Sequence, residues 1–443
     1  MIKQIGKRFT IPLMGCLVVL LLSSLIIGAC TPTPAAEEEQ EINLYASVDL
    51  TGFMGHMLAP MMEGYWDYTD YVNETEGGVG GYKVNWIWAD DGNSSARQVS
   101  NYKRWQSEGD GMQFLVAGVT ATNEMLKDWY VENEIFAWAQ STSTTLSWPP
   151  TWNFVSTLPD HKEEFGAMVK LVREIWDKEG RSGMPRLAVV GPDEVWIREN
   201  ASPAILGLAC MEKVDLSSGI AYAPIITADL TPQISRLVGD VKDPQIDFLY
   251  NGALIQTGTA AAKGLAALGL SGKVRLLGPP HCDTDIMLDR LGPTLTEGYI
   301  SSAITPTPRA KDYNDNPGIK LARDLAQQKH GREPDVQYCR GMSDGQRIIE
   351  VIRRAIAATG GIPDARDYYD ALQTLQNWQG SLELCPPVTV IPDDIRIQKH
   401  LIFHQVQNGE IVKYRDWMEV PFTFPKEYAD RFPGYPSLEE QCK

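Results

Sequence analysis

The stretch "INLYASVDLTGFMG", residues 42–55, decides the fold class of this chain. Its first nine residues have the apolar character of a buried β-strand, and the last five form a turn that contains two glycines. An amphipathic, helix-like segment follows and continues through Tyr71. A strand that leads through a short turn into a helix is the beginning of a βαβ unit, so the stretch predicts a parallel sheet.

The same alternation of strand-like and helix-like segments continues beyond this stretch. It runs to residue 140, stops at a Pro- and Trp-rich break at residues 147–153, and then restarts as far as residue 280. Two α/β sheets in succession predict a two-lobed protein. The closing segment, residues 400–417, has the pattern of a β-hairpin that turns at Asn408-Gly409.

The length and charge of the chain limit its class. It has 443 residues, more than one ordinary hydrophobic core accommodates, and 43% of them are hydrophobic. Its formal net charge is −17, and we find no basic patch long enough to attract a phosphate backbone. The sequence therefore predicts a folded protein with no nucleic-acid partner.

The first 29 residues have the pattern of a signal peptide. Lys3, Lys7 and Arg8 precede an apolar run at residues 11–29, which is also long enough to span a bilayer as an uncleaved anchor. The run ends in "IIGAC", where small residues precede Cys30, as in a bacterial lipobox. We predict that residues 1–29 are a lipoprotein signal peptide and that Cys30 is lipidated, which would hold the protein on the outer side of the bacterial cell membrane.

Residues 30–41 follow the signal peptide and are predicted to be a flexible tether. Apart from Cys30 they are "TPTPAAEEEQE", with no aromatic or branched apolar residue from which to form a core. Removal of three basic residues with the signal peptide takes the net charge from −17 to −20.

The remaining cysteines and the histidines give no clear site. Up to two disulfides and one free thiol are compatible with export, and the alternative is that every thiol is unpaired. These cysteines are Cys210, Cys282, Cys339, Cys385 and Cys442. The six histidines are scattered, and we interpret the local cluster "HCDTD", residues 281–285, as a turn, so we predict no metal and no cofactor.

Ten segments in a fixed order resemble a known family. The chain resembles the type I periplasmic-binding-protein superfamily, specifically the substrate-binding lipoproteins of branched-chain amino acid and amide-type ABC importers. Each segment is unspecific alone, and the order carries the resemblance, which covers about residues 43–420. The segments include "SVDLTGFMG", "LVAGVTATNEM", "AQSTSTTLS", "AVVGPDEVWIRE", "LLGPPHCDTDIM" and "EGYISSAITP".

The resemblance implies a two-lobed α/β fold, each lobe a parallel-type sheet flanked by helices, with a three-stranded hinge. It divides the chain as follows: residues 42–158 and 299–360 in lobe 1, residues 159–298 and 361–420 in lobe 2, and residues 421–443 as a C-terminal extension.

The ligand site is expected beyond the carboxyl ends of the strands, where helix N-termini offer unpaired N–H groups. Two loops there are dense in hydroxyl residues, which by resemblance hold the ligand's carboxylate and which alternatively only cap helices. With the loop after the first strand, the candidates in lobe 1 are Thr51, Gly52, Phe53, Thr120, Ser141, Thr142 and Ser143.

The second lobe and the hinge supply further candidates by resemblance. Trp196 stands where the family has an aromatic ligand contact, and Tyr338 and Asp344 stand near the hinge. Pro280 stands where amino-acid binders carry the acid that pairs with the ligand's ammonium group, with Asp283 or Asp285 as a substitute. This departure puts a standard amino acid in doubt, so an amide, an aromatic acid or another small polar molecule stays open.

The segment "GMSDG", residues 341–345, matches the G-x-S-x-G pattern of serine hydrolases. A nucleophile elbow needs a strand before the serine, and the preceding "GREPDVQYC" is polar and broken by proline. We interpret Ser343 as the N-cap of a helix and keep a serine hydrolase only as a remote alternative.

The sequence thus predicts a non-enzymatic solute-binding lipoprotein. Its predicted partners are a small-molecule ligand, the membrane through the lipid anchor, and the permease and ATPase of an ABC importer. A ligand sensor of the same fold that signals through a membrane partner is the alternative.

Overall fold

The computed structural model describes residues 40–423 except 110, 141, 142, 148, 393 and 395, together with residues 426, 437 and 438. The predicted signal peptide, Cys30, most of the tether, most of the C-terminal extension, Ser141 and Thr142 lie outside the described residues. Within the described part of the chain, no helix has the length and apolar character needed to cross a membrane.

Lobe 1 is built on a five-stranded parallel sheet of order β2-β1-β3-β4-β5. Its strands are β1 (Glu41–Val48), β2 (Lys83–Asp90), β3 (Phe114–Ala117), β4 (Phe136–Ala139) and β5 (Phe154–Ser156), and its connecting helices are α1 (Gly55–Thr75), α2 (Ser95–Ser107), α3 (Thr120–Glu132) and α4 (Thr144–Ser147). Every residue of β3 and β4 is buried, as expected for strands covered on both faces.

Lobe 2 is built on a seven-stranded sheet of order β12-β11-β10-β9-β8-β6-β7. Its strands are β6 (Leu187–Gly191), β7 (Ile220–Tyr222), β8 (Phe248–Asn251), β9 (Arg275–Gly278), β10 (Ile300–Ala303), β11 (His400–Gln407) and β12 (Glu410–Glu419). Its helices are α5 (His161–Lys178), α6 (Val195–Arg198), α7 (Pro203–Met211), α8 (Thr231–Val238), α9 (Ile255–Ala267) and α10 (Thr284–Thr296).

Three more helices complete the described fold, and they are α11 (Pro317–His330), α12 (Val336–Thr359) and α13 (Ala365–Gln373). Short 3-10 turns span Glu199–Ala201, Pro280–Cys282 and Lys311–Tyr313.

The hairpin of β11 and β12 confirms the predicted turn. These two strands pair antiparallel, and they are joined at Asn408 and Gly409, whose φ angles are 53° and 75°. Positive φ at both central residues is what a tight two-residue hairpin turn requires, and Asn-Gly adopts it at low cost.

The chain passes between the lobes at residues 157–160, 304–310 and 391–399. The third passage is tied to the end of β5, directly before the first passage, because the Ile397 N–H donates to the Ser156 carbonyl at 3.0 Å. A buried ion pair of Arg396 with Glu163 joins the third passage to lobe 2, and Arg396 also binds Asp394 of the same passage at 2.7 Å. The predicted two-lobed α/β fold is confirmed.

Two segments lie elsewhere than the predicted boundaries put them. Strand β10 falls inside the predicted lobe 1 segment 299–360, but it pairs with β9 and β11 in the lobe 2 sheet. Helix α13 falls inside the predicted lobe 2 segment 361–420, but its Tyr368 packs on Phe114 of lobe 1, with ring centroids 5.2 Å apart. In both cases burial against the neighbouring strands decides which lobe the segment joins.

The G-x-S-x-G segment lies inside α12, where that helix crosses α1 at very close range. A Cβ atom at Gly341 would overlap the Met61 carbonyl of α1, and one at Gly64 would overlap the Tyr338 carbonyl of α12. The N-cap of α12 is Asp335, whose side chain accepts from the Tyr338 N–H at 2.8 Å. The interpretation of Ser343 as an N-cap is therefore wrong. Gly341 and Gly64 allow the close crossing of the two helices.

We expect Gly341→Ala to lower the free energy of unfolding by about 2 kcal/mol or more, because backbone atoms of two packed helices must move apart. Gly345→Ala in the same helix is the matched control: its Cβ would lie 3.4 Å from the Tyr68 ring, an ordinary contact. Since alanine favours a helix interior, the control should gain up to about 1 kcal/mol. Urea unfolding of both variants measures the difference, and equal effects would contradict the close crossing.

Candidate functional site

The loops at the carboxyl ends of the strands of both sheets face the space between the lobes. Helix α12 begins in this space, and its Gln337 joins the lobes by donating to Asp283 Oδ2 at 2.8 Å and to the Pro280 carbonyl at 3.2 Å. A cleft of about 260 Å³ opens beside this contact, lined by His56, His281, Asp283, Asp285, Asp335 and Gln337 among others. A larger cavity of about 500 Å³ lies at the opposite ends of β8 and β9, against Phe248 and Arg275, and so is not the inter-lobe site.

Arg340 is the central charged group of the inter-lobe site. Its side chain lies on α12 and is 2% exposed, and its Nη2 donates to Gln140 Oε1 at 2.9 Å. The Nε and Nη1 atoms are buried and have no hydrogen-bond partner among the described residues. Burial lowers the pKa of Arg340, while the nearby Asp344 and Glu164 carboxylates oppose that shift. A buried guanidinium with two free donors is a receptor for an acceptor group.

A hydrogen-bonded network in lobe 1 fixes this guanidinium. Gln140 directly follows β4, and its Nε2 donates to Asp344 Oδ2 at 3.2 Å and contacts the Tyr65 hydroxyl. Asp344 in turn accepts from Arg347 at 2.8 Å. Because Asp344 is paired with Arg347, it orients Gln140 without neutralising Arg340.

The facing wall comes from lobe 2. His161 and Glu164 lie in the first turn of α5, with His161 Nδ1 at 3.2 Å from Glu164 Oε2. The His161 ring lies tilted beside Trp196 and His281, at centroid distances of 5.4 and 5.6 Å. Although burial opposes it, the hydrogen bond and charge of Glu164 raise the pKa of His161. Burial, with the charges of His161 and Arg340, holds the pKa of His281 well below its usual value. The second oxygen of Glu164, Oε1, is buried and unpaired within the described part of the chain.

Three of these lobe 2 groups also have the geometry of a metal site. Ligand atoms of His161, Glu164 and His281 lie within 4.8 Å of one another, a donor set that suits zinc. The positive charge of Arg340 acts on His281 in the same space and works against a second cation. We therefore interpret the three side chains as a polar wall for a ligand.

The comparisons with known proteins identify the family of this chain. Residues 41–410 match the model of a family described as periplasmic binding protein. This chain belongs to the periplasmic binding protein family. The predicted family is confirmed, and none of the curated proteins compared matches the sequence.

The fold of this periplasmic binding protein is similar to several solved structures. A branched-chain amino acid ABC transporter protein from Thermus thermophilus with bound valine has 17% identity and a TM-score of 0.72, covering 89% of this chain and 100% of that one. A fatty acid ABC transporter substrate-binding protein from Thermomonospora curvata has 16% identity and a TM-score of 0.71, covering 87% and 95%. A solute-binding protein from R. palustris in complex with 4-hydroxybenzoate has 17% identity and a TM-score of 0.68, covering 86% and 98%.

The hydroxyl loops of this binding protein are only partly available to a ligand. Thr120 is the half-buried first residue of α3. The Ser143 hydroxyl donates to Glu124 at 2.7 Å and lies 2.9 Å from the Thr145 hydroxyl, so it is engaged within lobe 1. A ligand carboxylate would meet the Glu124 carboxylate at this loop.

The loop after β1 is tied to its own lobe. The Thr51 hydroxyl donates to Asp90, and the Gly52 N–H donates to Asp49 at 2.6 Å. Gly52 also packs against Gly92, where a Cβ atom would lie 2.9 Å from backbone atoms. Phe53 is half-buried at the end of this loop and stays a candidate lid over the ligand.

Two predicted ligand contacts have other roles in the structure. The Tyr338 hydroxyl donates to Asp67 at 2.6 Å inside the core of lobe 1, so its prediction as a cleft residue is corrected. Asp283 caps α10 by accepting from the Ile286 N–H at 2.9 Å and also accepts from Gln337. Both side chains therefore already have hydrogen-bond partners within the fold. Trp196, by contrast, is half-buried beside His161 as a wall residue.

Sequence reasoning missed the residues that form the centre of the site: Gln140, His161, Glu164, His281 and Arg340. One signal for part of this set was present. Arg340, Asp344 and Arg347 stand at i, i+4 and i+7, so three charged side chains fall on one face of α12. Charged residues are almost never fully buried unless they are paired, so this spacing of a carboxylate between two arginines is a signal for a buried polar cluster.

The disulfide prediction is settled in part. Cys282, Cys339 and Cys385 are buried free thiols, and Cys210 is disulfide-bonded. The partner of Cys210 lies outside the described residues.

We expect the inter-lobe carboxylates to make the protein more stable at mildly acidic pH. Burial raises the pKa of Asp283 to about 6, against 3.8 for an exposed aspartate. Between these two pH values the folded protein holds a proton on Asp283 that the unfolded chain has lost. The resulting stabilisation is fully present below pH 3.8 and is lost as the pH rises through about 6.

Urea unfolding of Asp283→Asn at pH 5 and pH 7 tests this expectation, because asparagine keeps the helix cap and cannot titrate. The wild-type protein should be more stable at pH 5 than at pH 7, and this difference should be smaller in Asp283→Asn. The control Asp315→Asn alters an exposed carboxylate and should keep the wild-type difference. An unchanged pH dependence in Asp283→Asn would rule out a raised pKa at this position.

Proposed function

We propose that this chain is an extracytoplasmic solute-binding lipoprotein that captures a small polar organic ligand between its lobes and delivers it to an ABC importer. The observation that carries the proposal is the pair of unpaired, buried polar groups that meet from opposite lobes: the Arg340 donors on α12 and the Glu164 Oε1 acceptor on α5. Arg340 Nε, Arg340 Nη1 and Glu164 Oε1 have no partner among the described residues, which supports the binding of a third molecule between the lobes.

The energetics favour closure around that molecule. A buried polar atom without a partner costs about 1–3 kcal/mol, and more if it is charged. A ligand that pairs with Arg340 and Glu164 removes this cost only when the lobes are together, since one group lies on each lobe. Differential affinity of this kind shifts the population toward the closed state. Closure would then present both lobes to the permease at once.

Family membership supports transport over catalysis. Solved relatives of this fold include an ABC transporter protein with bound valine and a solute-binding protein in complex with 4-hydroxybenzoate. Ser343, the residue that matched the hydrolase pattern, lies within α12 and is 3% exposed, with no strand before it. An elbow nucleophile instead stands on an exposed strand-to-helix turn. We assign the protein no catalytic step.

A thermal-shift screen of the chain from residue 40 onward, refolded to remove bound ligand, tests the binding function. The panel contains amino acids, amides and urea, aromatic acids and short dicarboxylates. A ligand at about a thousand times its dissociation constant adds about 4 kcal/mol and moves the melting temperature by several degrees. Absence of any shift from any class would contradict the proposal.

The lipid anchor is a separate part of the proposal and has its own test. When the full chain is expressed in bacteria fed labelled palmitate, we expect label in the membrane-bound protein and its complete loss in Cys30→Ala. Cys16→Ala, within the apolar run, is the matched control and should keep the label. Membrane retention of an unlabelled chain would instead indicate an uncleaved helical anchor.

A further inference from the structure

We propose that Arg340 binds the anionic group of the ligand and that the ligand class is a monoanionic organic acid without an α-ammonium group. This inference rests on the proposed binding function and goes beyond it by fixing the charge of the ligand and its orientation. The acid end lies at α12, and the remainder of the ligand lies against the wall formed by His161, Trp196 and Glu164.

The first step is the charge balance around Arg340. The charged groups that act on it are Asp344, Glu164 and Arg347. Asp344 is bonded to Arg347 at 2.8 Å, and Glu164 is bonded to His161 at 3.2 Å. Both acids are thus bonded to side chains other than Arg340, and the one described hydrogen-bond partner of Arg340 is the neutral amide of Gln140. Within the described part of the chain, no carboxylate is bonded to Arg340.

The second step is the geometry of the free donors. Nη2 of Arg340 is taken by Gln140, which leaves Nε and Nη1 unpaired. A guanidinium binds a carboxylate through two N–H groups at once, and such bonds are shorter and stronger than those to a neutral oxygen. A carboxylate on the edge of the guanidinium that Gln140 leaves open can bind one free nitrogen together with the second N–H of Nη2, and it also supplies a counter-charge. An amide oxygen supplies a hydrogen bond alone.

The third step concerns a loop of lobe 1 that repels an anion. The loop expected from the resemblance to hold the carboxylate has its Ser143 hydroxyl on Glu124, whose charge repels an anion. The ligand's acid end therefore belongs at Arg340 instead.

The fourth step separates a simple acid from an amino acid. An α-ammonium group needs an uncommitted acid in the facing wall. Pro280 stands where the resemblance leads us to expect that acid, and Glu164 already pairs with His161. The free Oε1 of Glu164 can accept from a neutral hydroxyl or N–H of the ligand. The wall thus suits a neutral donor on an aromatic or aliphatic body beside Trp196.

Calorimetry with matched triads tests the inference directly. Each triad is one skeleton as an acid, an amide and an α-amino acid: 3-(4-hydroxyphenyl)propanoate, 3-(4-hydroxyphenyl)propanamide and tyrosine; isovalerate, isovaleramide and valine; 3-phenylpropanoate, 3-phenylpropanamide and phenylalanine. In at least one triad the acid should bind roughly 30- to 1,000-fold more tightly than its amide, the range expected when one partner of a buried charge pair is lost.

Two variants assign the preference to Arg340. Arg340→Gln should reduce the ratio of acid affinity to amide affinity to near one, and Arg340→Lys, which keeps the charge but not the fork, should give an intermediate ratio. Lys311→Gln removes an exposed cation, 77% accessible, and should leave the ratio unchanged. Because the ratio compares two ligands on one protein, a general loss of stability does not change it.

The outcomes separate this inference from the proposed function. An amide or amino acid that binds as tightly as its acid would overturn the inference and leave the binding function intact. An acid preference that survives in Arg340→Gln would overturn the role of Arg340 alone. Failure of every member of every triad to bind would count against both.

Discussion

The close crossing of α1 and α12 is the constraint on which the site depends. Backbone atoms of the two helices meet at Gly64 and Gly341, with no room for a side chain on either. Arg340 is the neighbour of Gly341, so the contact that packs lobe 1 also fixes where its guanidinium emerges. The same helix pair holds the hydroxyl of Tyr338 against Asp67. Core packing and the position of the charged group are therefore one feature of the fold.

The fold could be predicted from the sequence because its signals are local. Buried runs such as "FLVA" and "FAWA", and the Asn408-Gly409 turn, each determine structure from a few adjacent residues. The lobe boundaries were harder to predict from the sequence. Whether β10 and α13 join one lobe or the other depends on partners that are far away in the chain. Hydrophobic patterning marks a buried face, but it carries no information about which distant face covers it.

The site was harder to predict for the same physical reason. Glu164 and Arg340 are separated by more than 170 positions in sequence and meet only after the lobes fold. Hydroxyl-rich loops are easy to recognise in a sequence, yet the Ser143 hydroxyl donates to Glu124 within its own lobe. Charged residues in helices usually lie on solvated faces, so the burial of Arg340 could not be assumed from its type. Free hydrogen-bonding atoms become visible only when every partner is in place.

The order of the strands has a consequence for contacts between copies of the chain. The outer strands of the sheets are β2 and β5 in lobe 1, and β7 and β12 in lobe 2. Strands β5 and β7 are three residues long, and β12, the longest, carries Lys413, Arg415 and Asp416 along its length. Short or charged borders are poor templates for strand addition by another chain. The outer edges formed by β5, β7 and β12 therefore disfavour strand pairing between copies of the chain.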